Sequence, residues 1–114
     1  MLIFYSLFPI QCPIDRKDEL FKLLMMANDG MMLGNFEFVF AHNEVRYKTS
    51  IDASGMEPSL QMCNPLVYYN LLAMDQHFSA LLACIEHGIS AEKSLEMIGK
   101  NPRDMMKPDM PPMP

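Results

Sequence analysis

The chain has 114 residues, half of them apolar and a fifth charged, with a mean hydropathy near zero, the profile of one globular domain and not of a disordered segment. A net charge of -5 speaks against nucleic acid and anionic membrane as partners, because both are bound through basic faces that displace counterions. Three widely spaced cysteines, Cys12, Cys63 and Cys84, are an odd number that suits reduced thiols in a cytoplasmic protein better than a disulfide framework.

The opening stretch, Met1 to Ile10, is apolar but carries no basic leader and no small-residue cleavage site. Its length is half of the ~20 residues a membrane span needs, so Leu2 to Phe8 is read as a buried strand closed by Pro9 and Pro13. Ile14 to Asn28 reads as the first helix, with Asp15 as N-cap, Asp18 and Glu19 at the positive end of the dipole, and Leu20, Phe21, Leu23 and Leu24 as its apolar stripe. Asn28-Asp29-Gly30 ends it.

Between about Asn35 and Asp52 the pattern changes to alternation, which predicts a hairpin. A two-residue turn at His42-Asn43 sets Phe40 opposite Val45, Phe38 opposite Tyr47 and Phe36 opposite Thr49 on an aromatic face. The same register sets Glu37 opposite Lys48 and Val39 opposite Arg46 on the other face. From Ser59 the period becomes helical: Val67, Leu71, Met74, Phe78, Leu81, Leu82 and Ile85 recur at intervals of three and four on a helix ending near Gly88. Pro65 sits in the first turn of that helix, or kinks it if the helix begins at Ser59. Ser90 caps a short third helix that turns Leu95 and Ile98 inward before Gly99. Residues 1–99 form one domain on this reading, and residues 100–114, rich in proline and methionine, form a disordered tail.

The run Asn28-Asp29-Gly30-Met31-Met32-Leu33-Gly34-Asn35-Phe36-Glu37-Phe38, with Glu44-Val45-Arg46-Tyr47-Lys48-Thr49-Ser50-Ile51-Asp52 after it, resembles the YbjN family of bacterial sensory transduction regulators, above all its cyanobacterial-type members. The similarity extends over roughly Leu2 to Ile98. It implies an α+β fold like that of type III secretion chaperones, a small antiparallel sheet covered on one side by helices, and a regulatory or chaperone-like role without catalytic residues. His42-Asn43 stands where the family has an Asp-Gly turn. Family members also carry a helix and strands before the segment matching Leu2 to Phe8, which implies that this chain lacks part of the usual sheet.

Site chemistry is sparse. Cys84 and His87, three apart on a helix, are half of a zinc motif, with Cys63 and His77 as further ligand candidates; a core cysteine and a helix-end histidine account for the pair equally well. Met105, Met106, Met110 and Met113 offer thioethers to Cu(I). No nucleophile stands beside an acid–base pair and no glycine loop for phosphate is present, so neither an enzyme nor a bound cofactor is expected. The expectation is a protein-binding module that pairs as a homodimer or with a partner through exposed sheet. Its contact residues are Leu2 and Phe4 on the uncharged first strand, Met31 and Met32 in a connection, and Val39, Arg46 and Lys48 on the outer hairpin face.

Overall fold

A computed structural model describes residues 1–98; the expected tail, with its four methionines, lies outside the described residues. Strand β1 (Leu2–Leu7) is followed by a short 3-10 turn at Ile14–Arg16, helix α1 (Lys17–Asp29), strands β2 (Asn35–Val39) and β3 (Glu44–Ile51), helix α2 (Leu60–Glu86) and helix α3 (Ala91–Leu95). The chain is α+β: a three-stranded antiparallel sheet in the order β1-β3-β2, with helices packed on one face.

Strand β3 is central because it alone carries a fully apolar or hydroxylated inner face between two partners: Val45, Tyr47 and Thr49 are all buried. Against them α1 presents Leu20, Leu23, Leu24 and Ala27, and α2 presents Leu66, Leu81, Cys84 and Ile85. Each fully buried leucine of this kind contributes about 1.5–3 kcal/mol relative to exposure.

The hairpin faces fall as the alternation requires, but the register is displaced by two residues. Phe36 lies opposite Tyr47, Glu37 opposite Arg46, Phe38 opposite Val45 and Val39 opposite Glu44. Phe40 to Asn43 make a four-residue connection in place of a two-residue turn. A shift by two preserves every residue's face, because the side-chain period of a strand is two. Asn43 takes the left-handed conformation (φ 53°), the role its type suits, while Phe40 leaves the sheet and is 71% exposed. The aromatic opposite Tyr47 is therefore Phe36, which is buried, and Phe38 is only half-buried against Phe21 and Phe40.

Asp15 does not cap α1; it lies in the 3-10 turn, and the cap position falls to Arg16 without a side-chain bond. Arg16 instead reaches across to the end of α2, where its Nε donates to the Cys84 carbonyl (2.9 Å) and Nη2 to the Ile89 carbonyl (2.8 Å). Glu19 complements it by accepting the Ala91 amide at the start of α3 (2.7 Å). One turn of α1 thus satisfies orphan groups at two helix ends. Ser59 and Ser90 cap α2 and α3 through Met62 N–H and Lys93 N–H, as their sequence positions indicate.

Pro65 falls in the second turn of α2, within the helix and not at its start. Met74, Leu81 and Ile85 of the predicted α2 stripe are buried, but the rest of the stripe is rotated. Leu71 and Phe78 are exposed and Val67 half-exposed, whereas Leu66, Asn70, His77 and Cys84 face inward. The physical reason is that Asn70 finds hydrogen-bond partners on the sheet, while His77 bonds the Ala73 carbonyl of its own helix and packs on the Phe36 ring. Asn70, without exposure, donates through Nδ2 to the carbonyls of Phe4 and Tyr47 (3.0 Å each) and to Thr49 Oγ1 (3.2 Å), and accepts from the Ser6 hydroxyl. A buried amide so satisfied no longer opposes burial.

Candidate functional site

Helices cover the inner face of the sheet, so the outer face and the edges hold the surface not committed to the core. Along β1 exposure alternates. Leu2 and Phe4 are half-buried, on the helix-covered side with the inner-face residue Thr49, while Ile3, Tyr5 and Leu7 are 45%, 39% and 57% exposed on the outer face. Two of the expected contact residues, Leu2 and Phe4, therefore support the core. The exposed face of the strand belongs to its odd-numbered residues, and the alternation rule would have separated the two sets had the inner face been known.

The same odd residues hold the free backbone. Phe8 N–H donates to the Val45 carbonyl (2.8 Å), which fixes the parity of the β1–β3 ladder: even residues of β1 bond β3 and odd ones turn their N–H and C=O outward. Among the described residues no strand pairs with that edge. No residue from Leu2 to Leu7 is charged and none is proline, so the devices that usually blunt an edge are missing from it.

Beside this apolar edge the outer face carries a charged cluster. Glu37 accepts from Arg46 Nε (2.8 Å) and from Lys48 Nζ (3.0 Å), and the Arg46 guanidinium lies over the Tyr5 ring at 4.3 Å. Partial burial works to raise the Glu37 carboxyl, but the bonds and charges of Lys48 and Arg46 outweigh it and hold the group below its ordinary range. The expected recognition residues Arg46 and Lys48 are thus engaged within their own sheet, and ion pairs this exposed contribute about 0–1 kcal/mol. Val39 lies on the same face, half-buried, opposite Glu44. Met32, in the α1–β2 connection, is 96% exposed. Met31 is half-buried under the Tyr47 hydroxyl, which lies 3.2 Å from its sulfur.

The candidate metal ligands do not converge. Cys84 is buried without exposure beside Arg16, and burial pushes its thiol up from the ordinary value. His87 is exposed at the C-cap of α2. Cys63 sits near the other end of that helix, roughly 30 Å away at 1.5 Å per residue. His77 packs edge-on against Phe36 with Nδ1 2.7 Å from the Ala73 carbonyl, and burial holds its imidazole below the usual value. Among the described residues no three His, Cys, Asp or Glu side chains stand close enough to hold a metal ion, and no helix is long and apolar enough to cross a membrane. No family model matches the chain, and no curated protein or solved structure is significantly similar to it.

Proposed function

We propose that the protein is a non-enzymatic protein-binding module of the cytoplasm, chaperone-like or regulatory in role, which works by adding a strand to the free edge of β1. The observation that carries this reading is that edge itself. Ile3, Tyr5 and Leu7 offer exposed apolar side chains on one face and outward main-chain groups on one line, in a strand with no charged residue of its own, and the Arg46 guanidinium lies over the Tyr5 ring. The role is also the one implied by the resemblance of the hairpin run to YbjN regulators.

The partner proposed first is a second copy of the chain. In an antiparallel two-fold pairing, directly opposed residues must both turn their main-chain groups toward the new ladder, so odd residues oppose odd residues. Pairing Tyr5 with Tyr5 sets Ile3 of each copy against Leu7 of the other and opposes no like charges. The product is a continuous sheet of both copies.

Light scattering at micromolar concentration tests this. A dimer is expected from the parent. Tyr5→Pro removes an outward N–H and the ring beneath Arg46 but no bond of the β1–β3 ladder, and is expected to give a monomer with unchanged helix content, since proline is tolerated where a strand's N–H faces solvent. A parent chain that is monomeric, free of aggregation and without a captured partner would overturn the reading.

A further inference from the structure

A second surface of the molecule, away from the β1 edge, has the form of a ligand site. A cavity of about 400 Å³ lies where the α1–β2 connection, the end of β3 and the N-terminal half of α2 meet. That volume is within the ~300–1,000 Å³ common for small-molecule pockets. Its walls include Leu33, Ile51, Met62, Leu66 and Tyr69, and among the described residues no charged side chain lines it.

Its shape is built by two features of the sequence. Gly34 adopts φ +87°, and a Cβ there would run into the Lys48 carbonyl oxygen and come within 2.8 Å of Thr49 Cγ2; only glycine lets the connection lie this close to β3. Strand β2 begins at Asn35, opposite Lys48, so β3 continues past it from Thr49 to Ile51 with, among the described residues, a strand neighbour on the β1 side alone. Ladder parity assigns Thr49 and Ile51 to β1 and turns the Ser50 N–H and C=O the other way, toward the cavity that Ser50 lines. The Thr49 hydroxyl is already given to the Leu66 carbonyl (2.9 Å). The wall therefore presents an amide donor and acceptor above an apolar floor, and the rim carries the 96% exposed Met32, a flexible thioether able to fold over an occupant.

We propose that this cleft binds a neutral, mainly apolar small molecule whose single polar end hydrogen-bonds the Ser50 main chain. The absence of any charged side chain in the lining selects neutrality, since an ion there would be desolvated without a partner. The site is separate from the β1 edge and stands whether or not that edge pairs.

Titration of the full chain with N-phenyl-1-naphthylamine, a neutral apolar fluorophore, and with its sulfonated relative 1-anilinonaphthalene-8-sulfonate tests the proposal. Saturable one-to-one binding of the neutral probe is expected, with the anionic probe at least about tenfold weaker. Met62→Trp, which fills the cleft, should weaken the neutral probe by about tenfold or more, while Met25→Trp on the exposed side of α1 should not. Amide shifts in the parent protein give a second readout that needs no variant: they should centre on Gly34 and Ser50. Absence of saturable binding, equal affinity for both probes, or shifts centred on Ile3, Tyr5 and Leu7 would overturn the assignment.

Discussion

Asn70 is the residue whose removal tests the packing argument most sharply. It makes α2 adhere to the two strands it crosses, bonding Phe4 of β1, Tyr47 and Thr49 of β3, and Ser6 of β1 from a position with no solvent exposure. Asn70→Leu keeps the branched outline of the side chain at Cγ, although its methyl groups are bulkier than the amide O and N, and removes every one of these bonds. The Phe4 and Tyr47 carbonyls each keep a second lone pair for the β1–β3 ladder, and the half-exposed Ser6 hydroxyl can turn to water. The two N–H hydrogens of the amide and the Ser6 O–H are shared among these four partners, so the loss is near the net worth of a hydrogen bond, about 1 kcal/mol, for each of the three hydrogens, or about 3 kcal/mol in all. A domain of this size has about 5–15 kcal/mol of stability, and about 3 kcal/mol lowers its midpoint by roughly 12–24 °C. Urea unfolding followed by helical circular dichroism measures it, with Asn64→Leu, exposed on the same helix, as a control expected to stay within about 0.5 kcal/mol. An Asn70→Leu protein as stable as the parent would refute the claim that this network fixes α2 on the sheet.

The displaced hairpin register predicts that Phe36→Ala costs about 3–5 kcal/mol and Phe38→Ala distinctly less in the same assay, because Phe36 alone of the two is fully buried. Gly34→Ala should destabilise beyond the ordinary effect of a surface change and broaden the Ser50 amide signal, since the new Cβ meets β3 backbone at positive φ. The folded-state imidazole of His77 titrates below its ordinary value of 6.5 because burial disfavours the charged form, against a smaller opposing effect of the Ala73 carbonyl. The unfolded chain therefore binds more protons just below pH 6.5, and stability falls on acidification through that window. His77→Gln should flatten this slope. The Glu37 carboxyl, held low by Lys48 and Arg46 after burial is overcome, loses its contribution only as pH falls below its ordinary value of 4.5, so the windows separate in a pH series of urea midpoints.

Elements whose signal is local were legible in the sequence: the apolar β1, the stop at Gly30, the Ser90 cap of α3, and the alternation of the hairpin. The register was not, because both registers give Phe36, Phe38, Tyr47 and Thr49 the same face and differ only in where Phe40 leaves the strand. The inward side of α2 was legible at Met74, Leu81 and Ile85 but misplaced elsewhere, for a related reason. Hydrophobic period alone favours Leu71 and Phe78, and nothing local announces that Asn70 will meet two strand carbonyls, groups that exist only once β1 and β3 pair. Of the candidate surface, the uncharged edge of β1 was visible, but its division into inward Leu2 and Phe4 and outward Ile3, Tyr5 and Leu7 required the position of the helices. The Ser50 cleft left no sequence mark beyond Gly34, since it depends on where β2 begins.

The central claim concerns the edge of β1, and amide hydrogen exchange reads that edge residue by residue. In an unpaired strand the inward amides of Phe4, Ser6 and Phe8 exchange slowly and the outward amides of Ile3, Tyr5 and Leu7 exchange fast. Strand addition by a second copy predicts that Ile3, Tyr5 and Leu7 become protected to the level of their neighbours, and that this protection disappears on dilution and in Tyr5→Pro. Fast exchange at Ile3, Tyr5 and Leu7 at every protein concentration, beside slow exchange at Phe4 and Ser6, would contradict it.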